Sequence, residues 1–365
     1  MQTLAGMRNY QVPALRGSEL SSPGAPGYGM RNQRARRGRA GNLRRGFTLV
    51  ELLVVIVVIA VLMGLLLPAL NSVRIKAKEA TVVVEIKQLE SAITAFKAKY
   101  GVEPPSRISI YLTYSGWTGD PTSMAAVRQI WPQFDFYMGD PANNATNTAG
   151  KGKAFPTYWS SLNSGSQVLN INSGECLFFF LGGVMQDNAS GPNQVPTGFS
   201  KNPQYPFAPT SFVSNREGPF FEFNDVARIK DIDTSGMNEW YDPLPDQSKP
   251  YLYFSSYGGR GYSVSELPVT GTNYTYLHDV YRMAASVSGN YPPSAPSNAG
   301  SGSQTLPAQK AQSFQIISPG YDQDYGQGGI FNPKLPNAGL NDSSGKPDLA
   351  AYDNLTNFNG GRLNP

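Results

Sequence analysis

One uninterrupted apolar stretch limits what this chain can become. Leu52 to Leu70 is a run of nineteen residues without a charged side chain. A helix of that length rises about 28 Å, close to the thickness of the hydrocarbon layer of a bilayer. The sequence therefore predicts one membrane-spanning helix near its beginning, to which any folded domain must be attached.

The charge of the chain is divided unevenly on either side of this stretch. Residues 1–46 contain nine arginines and one acid, Glu19, so their net charge is +8, while the whole chain carries only +4. Only Arg74, Lys76 and Lys78 follow the stretch closely. The positive-inside rule then places residues 1–46 in the cytoplasm and the bulk of the chain across the membrane. Since that bulk is acidic overall, nucleic-acid binding is not indicated.

Cysteine and histidine are too scarce in this chain to form a disulfide or a site that needs several histidines. Cys176 is the only cysteine and His278 the only histidine. An intrachain disulfide and a multi-histidine zinc site are therefore excluded. A serine–histidine–aspartate catalyst would have to use His278, which is better explained as a residue of a surface loop.

A carboxylate, Glu51, lies at the start of the apolar stretch, where a charge is costly and usually functional. A secretory signal peptide would need a small-residue cleavage site after the stretch, and "LLLPALNSV" is a poor one. A twin-arginine signal rarely carries such a glutamate. A simple signal anchor gives no reason for Glu51.

The segment "RRGFTLVELLVVIVVIAVLMGLLLPAL", residues 44–70, resembles the class III leader and helix of type IV pilins and type II secretion pseudopilins. The resemblance implies that a prepilin peptidase cuts after Gly46 and methylates the new amino terminus at Phe47. It also implies that Glu51 pairs with the ammonium group of a neighbouring subunit during assembly. Pro68, with Gly64 one turn earlier, marks the weakest part of the helix, where the family's helix can unwind.

The helix is predicted to continue beyond the membrane. Val82, Ile86, Leu89, Ile93, Phe96 and Tyr100 follow one another at steps of four and three residues, which makes a single apolar stripe. Gly101 and the Pro104-Pro105 pair favour an end at Tyr100, so we expect a helix from about Thr48 to Tyr100. The predicted organisation is a leader over 1–46, a membrane and assembly helix over 47–70, its amphipathic continuation over 71–101, and a globular head over 102–365.

The head is predicted to be a small antiparallel sheet packed on the helical stripe, with long loop insertions, which gives an α+β fold. Four short segments rich in aromatic or β-branched residues are the candidate strands. These are 176–181, 220–223, 251–256 and 314–318.

Two acidic segments are candidate calcium sites. In "DIDTSGMNEWYD" the spacing of oxygen-bearing side chains around Gly236 matches a calcium-binding loop, although a polar turn would have the same composition. Its candidate ligands are Asp231, Asp233, Ser235, Glu239 and Asp242.

The second candidate calcium site is inferred from a family resemblance. "DPLPDQSKPYLYF" (242–254), "SPGYDQDYGQGG" (318–329) and "YDNLTNF" (352–358) are similar to the C-terminal part of the major pseudopilin. The resemblance implies a structural calcium ion with Asp322, Asp324 and Asp353 as ligands.

The resemblance implies a structural subunit of a type II secretion pseudopilus rather than an enzyme. It would sit in the inner membrane with its head in the periplasm. Its expected partners are further copies of itself, other pseudopilins, the prepilin peptidase and the inner-membrane assembly platform.

Two alternatives stay open. One is a surface type IV pilin for adhesion or DNA uptake. The other is a binding or enzymatic domain on a pilin-like anchor, in which Glu217 with Glu222 or Asp225 would be a glycosidase pair. Carbohydrate could then be bound by four tryptophans, Trp117, Trp131, Trp159 and Trp240.

Overall fold

A 52-residue helix, α1 (Leu49–Tyr100), is the first element of the chain. The computed structural model describes residues 46–137, 155–156, 159, 167–186, 195–231, 236–262, 280–283, 308–341 and 346–364. It divides into two compact units, residues 1–62 and 63–365, so α1 begins in the first unit and ends in the second. The prediction of a helix from about Thr48 to Tyr100 is confirmed.

The end of α1 follows its local sequence. Lys97 and Lys99 lie in the last turn, where positive charge is favourable, and Gly101 leaves the helix with a φ of +80°. The backbone N–H of Gly101 donates to the carbonyl of Lys97. Pro104 and Pro105 then prevent any further turn of helix.

In the second unit, the predicted stripe of α1 faces the core of the head. Val82, Ile86, Leu89, Ile93 and Phe96 are each at most 1% exposed and share one buried cluster with residues of the head. The ring of Phe96 packs edge-on against Phe180 and Phe220. The stripe is therefore the surface on which the head is built.

The head contains three further helices and eleven short strands among its described residues. Their bounds are β1 (Arg107–Tyr111), α2 (Tyr114–Gly119), α3 (Pro121–Ile130), β2 (Val168–Asn172), α4 (Ser173–Gly182), β3 (Phe199–Ser200), β4 (Arg216–Glu217), β5 (Ile229–Lys230), β6 (Glu239–Trp240), β7 (Leu252–Ser255), β8 (Tyr281–Met283), β9 (Phe314–Ser318), β10 (Gly329–Phe331) and β11 (Leu355–Thr356). Short 3-10 turns lie at Val226–Arg228, Pro336–Gly339 and Leu349–Ala351.

The central sheet is antiparallel, with β9 between β7 and β11. Leu252 pairs with Ile317, and Ser318 pairs with Leu355. Strands β1 and β2 form a second antiparallel pair, β3 with β4 and β5 with β6 make two-residue pairs, and β8 with β10 is parallel. The predicted strands at 251–256 and 314–318 are confirmed.

The segment 176–181 is not a strand, contrary to our expectation. It lies in α4, which begins with a capping box between Asn172 and Glu175. Every residue of α4 is buried, so its apolar run has neither the period of a strand nor that of a surface helix.

The segment 220–223 is also not a strand. The backbone N–H groups of Phe220 and Phe221 both donate to the carbonyl of Leu181, at the end of α4, instead of to a neighbouring strand. Its aromatic residues serve packing: Phe220 contacts Phe96, and Phe223 contacts Trp240.

Candidate functional site

The predicted cleavage site lies just before α1. Phe47 is 81% exposed, and a Cβ added to Gly46 would meet no atom within 4 Å. The fold itself therefore does not require glycine at position 46.

Thr48 and Glu51 form a capping box at the start of α1. The backbone N–H and the Oγ1 hydroxyl of Thr48 each donate to Glu51 Oε2 at 2.8 Å. In return, the backbone N–H of Glu51 donates to Thr48 Oγ1 at 3.2 Å. The carboxylate thus has hydrogen-bond partners within its own chain. The motif T-x-x-E before an apolar run is typical of such a capping box. The family resemblance implies only a contact between Glu51 and a neighbouring subunit.

The apolar part of α1 is exposed along its length. Within the described residues, α1 is the one helix long and apolar enough to cross a membrane. Leu49 to Leu67 contains no buried side chain, and the helical backbone continues through Pro68. An apolar helix with no covered face is suited to lipid or to a bundle of like helices.

Glu85 is a buried carboxylate on the inner face of α1. Its Oε2 accepts from the guanidinium of Arg228 at 2.5 Å and from the hydroxyl of Tyr251 at 2.7 Å. Its Oε1 accepts from Trp240 Nε1 at 3.1 Å, and the Arg228 guanidinium lies 4.0 Å from the centre of the Trp240 ring. Four side chains thus fix the rotation of the helix against the head. Glu85 lies between Val82 and Ile86 on the apolar stripe, a signal that we did not use.

Two more carboxylates of α1 hold the C-terminal part of the head. Arg362 Nε donates to Glu79 Oε1 at 2.8 Å, and Asn357 Nδ2 donates to Glu90 Oε1 at 3.1 Å. Lys310 lies 3.6 Å from the same oxygen of Glu90. Glu79 and Glu90 therefore both bind the C-terminal segment of the head, whereas Glu85 binds residues between 228 and 251.

The acidic loop that follows β9 contacts the turn before β11. Asp353 Oδ2 accepts from the backbone N–H groups of Tyr321, at 2.5 Å, and Asp322, at 3.1 Å. Gly320 has a φ of +71°, and a Cβ there would lie 2.5 Å from Asp353 Cγ, so glycine permits this approach. The structure thus brings Asp322 and Asp353 together, and their role as calcium ligands stays a prediction.

Asp324, the third predicted ligand, has other partners. Its Oδ1 accepts from the backbone N–H of Gly326 at 3.2 Å and lies 3.6 Å from the ammonium of Lys249. Lys249 is itself buried, with a side chain 9% exposed. A lysine therefore supplies positive charge to Asp324 within the fold.

The Asp322–Asp353 pair has features that suit a cation. Desolvation, followed by the negative charge of Asp353, raises the pKa of Asp322 to about 7. Desolvation raises the pKa of Asp353 as well. Asp353 Oδ1 is buried and has no hydrogen-bond partner. The described residues nevertheless contain no group of three or more acidic, histidine or cysteine side chains already arranged to hold a metal.

Asp242 holds this loop in place through hydrogen bonds. Asp242 Oδ2 accepts from Ser318 Oγ at 2.6 Å and from Gln247 Nε2 at 3.1 Å. The same Nε2 donates to the carbonyl of Gly320 at 2.6 Å. Asp242 therefore positions the backbone that faces Asp353.

The alternative calcium loop is only partly described. Asp233 and Ser235 lie outside the described residues, and Asp231 Oδ2 accepts from the backbone N–H of Gly236 at 3.1 Å. Glu239 is buried in β6 and accepts from the Tyr241 hydroxyl, while Asp242 belongs to the network beneath Gly320. Asp231, Glu239 and Asp242 do not meet as a metal-binding group.

The features proposed for a binding or enzymatic head have structural roles. The four tryptophans that would form a carbohydrate surface in that alternative are at most 4% exposed, so they belong to the core instead. There, Trp117 packs against Phe134 and Trp131 packs against Phe207. Glu217 pairs with Lys99 of α1 at 3.0 Å. His278 lies outside the described residues.

The comparisons with known proteins match part of the chain. The signature of the prokaryotic N-terminal methylation motif matches residues 41–67. The chain is also 43% identical over 60 residues to the type II secretion system core protein G of Pectobacterium carotovorum subsp. carotovorum. Those residues make up 16% of this chain and 38% of that protein. No solved structure matches the chain.

The methylation motif covers Gly46, Phe47 and Glu51, directly before and within the exposed apolar helix. A long N-terminal helix followed by an α+β head completes the arrangement. This chain therefore carries a prokaryotic N-terminal methylation motif and is similar, over part of its length, to a core protein of the type II secretion system.

Proposed function

We propose that the chain is a structural subunit of a type II secretion pseudopilus and not an enzyme. It is cut between Gly46 and Phe47 by a prepilin peptidase, methylated on the new amino terminus, and polymerised through α1. The observation that carries this proposal is the methylation motif placed immediately before an exposed apolar helix with Glu51 in its first turn. The similarity to a core protein of the type II secretion system supports the choice of pseudopilus.

The capping box suggests how Glu51 acts. Before assembly, Thr48 supplies two donors to the carboxylate. After cleavage, Phe47 carries an ammonium group in or near the membrane, where an unpaired charge is expensive. Pairing that ammonium with Glu51 of a neighbour replaces neutral donors by a charged one, which makes a stronger bond. Assembly is therefore favoured in one register.

The same proposal fixes the orientation and the partners. The arginine-rich leader stays in the cytoplasm, the head lies in the periplasm, and the apolar part of α1 spans the inner membrane. Further copies of the chain, other pseudopilins, the prepilin peptidase and the inner-membrane assembly platform are the partners.

Processing is tested with Gly46→Ala, expressed at full length beside a prepilin peptidase. We expect wild type to begin at N-methylated phenylalanine and Gly46→Ala to stay uncut, as measured by intact mass and N-terminal peptides. Gly64→Ala is the matched control, because a Cβ there also meets no atom within 4 Å. A mature terminus beyond Leu70 would contradict the proposal, since the assembly helix would be lost.

Assembly is tested with Glu51→Leu. The substituted helix is more apolar, so it should insert and be processed like wild type, but filaments should be lost. Glu222→Leu, a change at an exposed carboxylate of the head, should leave filament yield unchanged. Filaments at wild-type yield from Glu51→Leu would show that the carboxylate has no role in assembly.

We also propose that the acidic loop of the head binds a structural calcium ion. Asp322 and Asp353 would supply the carboxylate oxygens, and Asp324 would hold the turn through Gly326 and Lys249. When bound, the cation supplies the positive charge that lets both carboxylates ionise. The contact between Asp322 and Asp353 supports this choice over the other loop, because Asp231, Glu239 and Asp242 do not meet among the described residues.

A further inference from the structure

A short exposed segment of α1 separates the apolar span from the head. Residues 70–78 are all exposed, whereas Glu79 is partly covered and paired with Arg362, and Val82 is fully buried. We call residues 70–78 the neck. It lies between the exposed apolar residues of α1 and the part of the helix that the head covers.

The neck carries three cations and no acid. Arg74, Lys76 and Lys78 are exposed and take part in no salt bridge within the described part of the chain. Their charge runs against the positive-inside rule, because they follow the span instead of preceding it. Their position therefore suggests that these cations have a function at the membrane surface where the chain emerges.

With the apolar part of α1 in the bilayer, the three cations would lie near the depth of lipid head groups. Leu65, Leu66, Leu67 and Leu70 are exposed apolar residues directly before the neck. Arg74 follows Leu70 by about 6 Å along the helix axis and Lys78 by about 12 Å, at about 1.5 Å per residue. The polar layer of one leaflet is about 5–8 Å thick, and long basic side chains reach back towards it.

Their arrangement around the helix distinguishes lipid from a protein partner. Arg74 and Lys78 are one turn apart and share a face, while Lys76 points about 200° away from Arg74. A neighbouring protein would contact one face of the neck. Head groups surround a single span on all sides, and a collar of cations fits that environment.

We propose that Arg74, Lys76 and Lys78 form a collar that binds the phosphate groups of anionic phospholipids in the leaflet where the chain emerges. The collar sets the depth of the subunit and holds it in the bilayer until assembly draws it out. This inference rests on the membrane placement in the proposed function, but it does not depend on polymerisation.

The test places a photo-crosslinking amino acid at Ala77, an exposed neck position, in the full-length protein. The protein is reconstituted into nanodiscs of phosphatidylcholine with a minor fraction of phosphatidylglycerol, and lipid adducts are counted by mass spectrometry. We expect phosphatidylglycerol among the adducts at roughly threefold or more above its share of the bilayer, less so at high salt.

The variant R74Q/K76Q/K78Q should lower that enrichment to the bulk share. The charge-matched control K201Q/R260Q/K334Q, at exposed cations of the head, should leave it unchanged. All variants keep the same basic leader, so any difference belongs to the neck.

Inserted protein with phosphatidylglycerol adducts at the bulk share, or crosslinks to a second copy in place of lipid, would overturn the collar alone. Failure of wild type to enter nanodiscs would overturn the membrane placement in the proposed function, and the collar with it.

Discussion

Asp242 and Glu85 are both buried carboxylates, but their partners differ in charge. Glu85 faces the guanidinium of Arg228, whereas Asp242 accepts from a hydroxyl, an amide and the backbone N–H of Leu244. Desolvation therefore dominates at Asp242 and raises its pKa to about 6. The folded head thus holds a proton on Asp242 more tightly than the unfolded chain does.

This shift predicts how stability depends on pH. Because the folded pKa is above the unfolded value of 3.8, the stabilisation is complete below 3.8 and is lost as the pH rises through about 6. Between pH 4 and 7, the unfolding free energy of wild type should therefore fall by on the order of 3 kcal/mol because of Asp242. Asp242→Asn cannot ionise, so this part of the fall should be absent in the variant. The measurement is thermal unfolding of the full-length protein in detergent at a series of pH values.

The control for this prediction is Asp246→Asn, at an exposed turn residue with positive φ that asparagine also tolerates. It should leave the pH profile of wild type unchanged. Identical profiles for wild type and Asp242→Asn would show that Asp242 stays ionised in the fold.

Short motifs made part of the candidate site readable from sequence. Gly46, Phe47 and Glu51 were assigned from the residues around one boundary, and they remain predictions about processing and assembly. Lys249 could not be assigned in advance, because its contact with Asp324 joins residues 75 positions apart and depends on the folding of two loops. The same holds for Gln247 beneath Gly320.

At the scale of elements, α1 was predictable and α4 was not. α1 has a strict apolar stripe, a glycine at its end and two prolines beyond. α4 is apolar on every side, and its capping box was the signal that favours a helix. Strands β7 and β9 were recognised because aromatic and β-branched residues fill them, whereas the two-residue strands are set only by tertiary contacts.

The packing of α1 on the head is tested at Glu85. Glu85→Ala would leave Trp240 and Tyr251 buried, and Arg228 partly buried, without their common acceptor, so we expect a loss of about 3–5 kcal/mol in unfolding free energy. Gln88→Ala, at an exposed position one turn along the same helix, should cost less than about 0.5 kcal/mol. Denaturant unfolding of the full-length protein in detergent measures both.

A double variant, Glu85→Ala with Arg228→Ala, separates the ion pair from simple packing. Its loss should be smaller than the sum of the two single losses, because the second change removes a charge that the first left unpaired. Strict additivity would mean that the pair contributes nothing as a pair.

At the scale of the whole molecule, the acidic loop ties β9 to the segment that returns to α1. Tyr321 and Asp322 contact Asp353, and four residues later Asn357 reaches Glu90. A cation at the loop would therefore stabilise the head as a whole. At 100 times the dissociation constant, one site would add about 2.7 kcal/mol.

We expect calcium to raise the melting temperature of the full-length protein by several degrees, with reversal on chelation and little effect of magnesium, which requires a stricter octahedron. Asp353→Asn and Asp322→Asn should each remove the effect, and Asp324→Asn should keep most of it. Loss of the effect in D231N/D233N instead would place the site in the other loop. A melting curve unaffected by calcium or chelator would reject both.

The hydrogen bond between Arg362 and Glu79 joins residues 283 positions apart. The hydrogen bond between Asn357 and Glu90 joins residues 267 positions apart. During synthesis α1 is made long before these partners exist. The positions of α1 that carry Glu79 and Glu90 therefore stay without these contacts until the segment around 355–362 has been made. Only a chain made as far as Arg362 can complete the contacts between the head and its helix.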